Sequence, residues 1–107
     1  MSKVRNPLKQ QFFNYLTRKC SLADTTASMY ISCLNRADKY MQTAGIINDS
    51  LYDIRKLRTL ELAKDEALVT DEFNLLDEMS HFCMGISLRH YYNFAAAHYN
   101  FNHSWEW

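Results

Sequence analysis

The run Asp24-Thr25-Thr26-Ala27-Ser28-Met29-Tyr30-Ile31-Ser32-Cys33-Leu34-Asn35-Arg36-Ala37-Asp38-Lys39-Tyr40-Met41-Gln42-Thr43-Ala44-Gly45 decides the fold class. Within it Met29, Tyr30, Cys33, Leu34, Ala37, Tyr40, Met41 and Ala44 recur at steps of one and three, which places them along one stripe of an α-helix. Gly45 follows where a left-handed residue closes a helix. Upstream, Ser21 with Asp24 three residues on reads as a capping box with Asp in place of Glu, and Asp24 is the alternative cap. A helix running to about Ala44 is expected.

The same periodicity extends in both directions. Asn6 is a good N-cap and Pro7 loses only an orphan N–H at the first helical position, so a helix is expected from Pro7 to Arg18. Leu8, Phe12, Tyr15 and Leu16 form its apolar stripe, widened by Phe13. Beyond the connector Ile46-Ile47-Asn48-Asp49-Ser50, a third helix is expected from Leu51 or Asp53 to Ala67. Its inward residues are Leu51, Ile54, Leu57, Leu60 or Leu62, and Leu68, with Arg55, Lys56, Arg58 and Lys64 outside. Thr70 or Asp71 caps a segment containing Phe73, Leu75 and Leu76. Ser80 caps a last helix of about Phe82 to Tyr99, and 71–79 and 81–99 read equally as one bent helix or two. The tail Asn100-Phe101-Asn102-His103-Ser104-Trp105-Glu106-Trp107 has no period. Exposing two Trp is costly, so the tail is expected to fold back or to dock on a partner.

Length and composition agree with this reading. The 107 residues make a single domain, with a helical core over about 7–99 and an aromatic tail over 100–107. Two Gly and one Pro disfavour a turn-rich β fold and a glycine-rich phosphate loop. Hydrophobic content of 48% with fifteen aromatic residues excludes a disordered chain. The expected fold is all-α, a compact bundle of four to five helices. No apolar run suits a signal peptide or a membrane span. Cys20, Cys33 and Cys83 are odd in number and form no C-x-x-C pair. A disulfide framework is therefore not expected, each thiol reads as a small buried hydrophobe, and a reducing, cytoplasmic setting follows.

Formal neutrality hides a polar distribution of charge. Residues 1–20 carry five bases and no acid, residues 21–70 sum to −1, and residues 71–107 hold only Arg89 against five acids. A basic end suits phosphate or an acidic partner, and an acidic end repels DNA.

Catalytic motifs are missing. The chain has no G-x-S-x-G, no H-E-x-x-H and no phosphate loop, so no enzyme and no cofactor is expected. Glu78 and His81 make half of a Glu-x-x-His di-metal pattern whose second half is absent. His90, His98 and His103 are spaced eight and five apart, neither a ligand spacing on a helix, so no metal site is expected.

The order of elements says more than any one of them. Phe12-Phe13-x-Tyr15-Leu16 leads, followed by Ser21 and Thr26 with Tyr30 four residues on. Ala44-Gly45-Ile46-Ile47 and Leu51-Tyr52-Asp53-Ile54 come next, and Gly85-Ile86-Ser87-Leu88-Arg89-His90-Tyr91-Tyr92-Asn93-Phe94 closes the series. This succession, over about residues 8–95, resembles the N-terminal core-binding (SAM-like) domain of tyrosine recombinases, the phage-integrase family. The family's catalytic domain, with its Arg, His-x-x-Arg and Tyr nucleophile, is not present, and none of the seven Tyr is assigned that role.

The resemblance implies one jaw of a clamp on duplex DNA, without recombination chemistry, in an accessory or regulatory factor of a mobile element. Carried onto this sequence, it implies DNA contacts at Thr25, Thr26, Arg36, Lys39, Arg89 and His90, with Lys9, Arg18 and Lys19 on phosphates. Hydroxyls and N–H groups at a helix N-terminus suit phosphate. Arg89 has the alternative role of holding a carboxylate of the acidic C-terminal half. The contrasting expectation is a protein–protein module, such as a mobile-element-encoded regulator or inhibitor of a host nucleic-acid enzyme. That module would act through Asp77, Glu78, Trp105 and Trp107, since acidic patches mimic DNA.

Overall fold

The structure, a computed structural model, describes residues 7–102, with side chains over 8–97. The expected Asn6 cap and the end of the tail, with Trp105 and Trp107, lie outside the described residues. Among the described residues five α-helices run in order: α1 (Pro7–Asn14), α2 (Asp24–Thr43), α3 (Leu57–Leu68), α4 (Asp71–Met79) and α5 (Cys83–Asn102). The described residues contain no strand. The bundle is all-α, as its periodicity requires.

The first helix overruns its expected end by one residue, because α1 continues as a π-helical turn over Tyr15–Lys19. The Cys20 N–H donates to the Tyr15 carbonyl at 3.2 Å and the Leu22 N–H to that of Leu16 at 3.1 Å. Ser21 sits between them at φ 59°. Ser21 therefore ends the first helix and does not cap the second. Ala23 occupies the cap position of α2 with no side-chain bond, and Asp24 is the first helical residue. Its carboxylate still meets the positive end of the helix.

The far end of α2 closes as expected. Gly45 takes φ 80°, its N–H donates to Gln42 at 3.2 Å, and the Ile46 N–H donates to Met41 at 2.9 Å. This is a Schellman closure, in which a left-handed residue lets the chain turn back over the last carbonyls. Met29 and Ala44, at the edge of the expected stripe, are exposed, while Cys33, Leu34, Ala37 and Met41 are buried.

Asp38 explains why the third helix starts late. Buried on the inner side of α2, it accepts from the Leu51 N–H (2.8 Å), the Ser50 hydroxyl (2.8 Å) and the Gln42 amide (3.1 Å). The Ser50 hydroxyl in turn accepts the Tyr52 N–H at 3.2 Å. These bonds hold Leu51–Asp53 as a 3₁₀ turn on α2, the chain runs irregularly through Ile54, Arg55 and Lys56, and α3 begins at Leu57. Of its two candidate inward leucines, Leu60 is buried and Leu62 exposed. Lys64, expected outside, is half-buried with its ammonium 5.0 Å from the Tyr92 ring centroid.

The C-terminal third is two helices. His81 and Phe82 stand at φ 58° and 66°, and the Phe82 N–H closes on the Asp77 carbonyl at 2.7 Å. Ser80 donates its hydroxyl to the same carbonyl at 2.9 Å and does not cap α5. That role falls to the carboxylate of Asp77, which accepts the Gly85 N–H at 2.8 Å. A Cβ on Gly85 would lie 2.5 Å from Asp77 Oδ2, so only glycine admits this approach.

The cysteines depart from expectation. Cys33 of α2 and Cys83 of α5 form a disulfide, with Cα atoms 5.9 Å apart, and Cys20 is free. The odd count concealed one pair that the fold brings together, and the step from unpaired thiols to a reducing compartment loses its premise. α2 and α5 form the central pair, flanked by α1, α3 and α4. Tyr91 sits at the centre of an aromatic cluster, edge-on to Phe12 at 5.3 Å and to Tyr52 at 5.4 Å.

Candidate functional site

At about 100° per residue, Thr25, Ser28, Ser32, Arg36, Lys39 and Thr43 fall along one side of α2, and all six are exposed. No acid lies on this side: Asp38 is turned inward, and Asp24 sits in the first turn. From Thr25 to Lys39 the strip runs about 21 Å. The exposed Arg18 and Lys19 close the π turn just ahead of it.

Charge separates by element in the same sense. α1 with its π turn, α2 and α5 carry Lys9, Arg18, Lys19, Arg36, Lys39 and Arg89, and Asp24 is their one exposed acid among the side chains described. α3 and α4 carry two bases, Arg58 and Lys64, against seven acids.

The remaining expected contacts are not gathered on that strip. Lys9 holds its ammonium 5.2 Å from the Tyr52 ring centroid. Thr26 is half-buried. His90 stacks on Tyr30, ring centroids 5.5 Å apart and 27° from parallel. Burial pushes the His90 pKa down, which favours a neutral ring. Arg89 faces α4, where its Nη1 and the Asp77 carboxylate both flank Gly85. Asp77, expected on a partner surface, is buried and occupied with the start of α5. Glu78 is exposed.

Periodicity missed one surface. Phe73 and Asp77 are the inward residues of α4, and its other large apolar side chains are left in solvent: Leu75 is 59% exposed, Leu76 36% and Met79 72%. Phe82, in the left-handed turn that follows, is 56% exposed. Beside them a groove of about 400 Å³ opens between α2 and α4, with Leu76, Met79 and Met84 as its apolar lining and Arg36, Lys39 and Tyr40 along α2. The Tyr40 hydroxyl donates to Glu72 at 3.1 Å. The signal was present in the sequence: a nine-residue helix with two inward positions cannot bury five large apolar side chains in and just after it.

Among the described residues no group of three or more His, Cys, Asp or Glu is assembled for a metal, and no helix is long and apolar enough to cross a membrane. Compared with protein-family models, curated proteins and solved structures, the chain matches none.

Proposed function

We propose that the chain is a non-catalytic DNA-binding module that lays the outer side of α2 along the phosphate backbone, in keeping with its resemblance to the recombinase core-binding jaw. The observation that carries this reading is the acid-free strip Thr25-Ser28-Ser32-Arg36-Lys39, extended by Arg18 and Lys19. Two cations and three hydroxyls on an edge of about 21 Å, with two further exposed cations in the π turn that precedes it, suit backbone contact, which positions a protein without reading sequence.

Fluorescence anisotropy with a labelled random duplex tests this. Four phosphate contacts predict a log–log salt slope of about −3.6, so affinity falls roughly 100-fold between about 50 and 200 mM salt. Arg18→Ala with Lys19→Ala reduces the slope by about 2. Absence of binding at the lower salt overturns the reading.

The contrasting reading, a protein-interaction module, has one observation in its favour: the apolar corner Leu75, Leu76, Met79 and Phe82. Single exposed apolar residues are ordinary, but a contiguous patch marks an interaction surface.

A further inference from the structure

We propose that the groove between α2 and α4 receives the Trp105-Glu106-Trp107 segment of a second copy of this chain. The proposal does not depend on DNA binding. The groove joins an apolar lining, Leu76, Met79 and Met84, to two cations on its α2 side, Arg36 and Lys39. Its nearby carboxylate, Glu72, is engaged by Tyr40. Such a site selects an occupant with large apolar groups close to a negative charge. Within the chain itself, Trp105-Glu106-Trp107 has that composition: two indoles and one carboxylate in three consecutive residues. Thioethers such as those of Met79 and Met84 make favourable contacts with aromatic rings, and Glu106 complements Arg36 and Lys39.

Reach decides which copy supplies the segment. Met84 lines the groove at the start of α5, and α5 runs on to Asn102, about 27 Å along the helix axis. The five residues after Asn102 span at most about 17 Å when fully extended, so a chain turning straight back stops about 10 Å short of its own groove. A second copy has no such limit. Two copies lying antiparallel along α5 bring each Asn102 to the partner's groove, and this exchange closes with two-fold symmetry.

The chain supplies its own probe, because Trp105 and Trp107 are its two tryptophans. Sedimentation equilibrium and tryptophan emission are measured on the full chain over a range of concentrations. The expected result is a monomer–dimer equilibrium, with emission moving to shorter wavelength as dimer forms. Trp105→Ala with Trp107→Ala abolishes the dimer, and so does Met79→Asp, at a solvent-exposed position. Arg36→Glu with Lys39→Glu weakens the dimer by about tenfold or more. Adding Glu106→Arg to that pair restores it, an outcome that general unfolding would not produce. Three results overturn the proposal: a monomer at all concentrations, a dimer that survives loss of both indoles, or a blue-shifted emission independent of concentration.

Discussion

Gly85 holds the junction between α4 and α5 open to Asp77. An added methyl would stand 2.5 Å from Asp77 Oδ2, and the same carboxylate accepts the Gly85 N–H. Gly85→Ala is therefore expected to lower stability by about 1–3 kcal/mol by displacing a buried acceptor, read as a shift of the urea midpoint at constant slope. Gly45→Ala meets no atom within 4 Å and is strained only by its φ of 80°, so its loss is about 1 kcal/mol. The two buried tyrosines separate in the opposite way. Tyr52 donates to Asn35 at 2.9 Å, whereas the Tyr91 hydroxyl is buried with no hydrogen-bond partner among the described residues. Tyr91→Phe is expected to be neutral or stabilising, and Tyr52→Phe to destabilise by about 1 kcal/mol. Burial pushes both phenols well above their ordinary range near 10. The folded state thus keeps two protons that the unfolded chain releases, so stability is complete below pH 10 and falls as pH rises beyond it. Phenolate absorbance in an alkaline titration should show two tyrosines ionising only with unfolding, and one fewer in either Phe variant.

At the scale of elements, helix existence was legible wherever an apolar stripe was long. α2 shows its middle and its end in its stripe and its Gly45, and Leu8, Phe12 and Leu16 mark α1 and its π turn just as plainly. What stayed hidden was long-range polar bonding. Asp38 looks like any surface acid of an amphipathic helix, and its bonds to Ser50 and to the Leu51 N–H arise only when the connector folds onto α2. Ser21 and Ser80 fit capping patterns, yet each lies in a chain reversal where backbone geometry takes precedence. The candidate strip was legible at Thr25, Arg36 and Lys39, with Arg18 and Lys19 ahead of it, whereas His90 was lost to stacking and Arg89 to a position beside Asp77. Asp38→Ala tests how far one helix organises the next. Losing the acceptor of a buried N–H should cost about 2–3 kcal/mol, and amide exchange should accelerate first at Leu51 and Tyr52. Asp38→Asn keeps one acceptor and should lose less.

Across the whole molecule, the Cys33–Cys83 bond joins the two central helices and spans 50 residues of sequence. Loop-closure arithmetic for that span gives about 4 kcal/mol, so reduction should lower the melting temperature by well over 10 °C. Alkylation of the oxidised, unfolded chain should label Cys20 alone, and labelling of all three cysteines would rule the bond out. The same bond divides the chain mechanically. Pulled by its two ends, the protein can pay out α1, the first part of α2 and the part of α5 beyond Cys83. The intervening stretch, with α3 and α4 inside it, carries no tension. About 170 Å of contour stays hidden from a force probe until a reductant is added, and it should then appear as a single additional extension step.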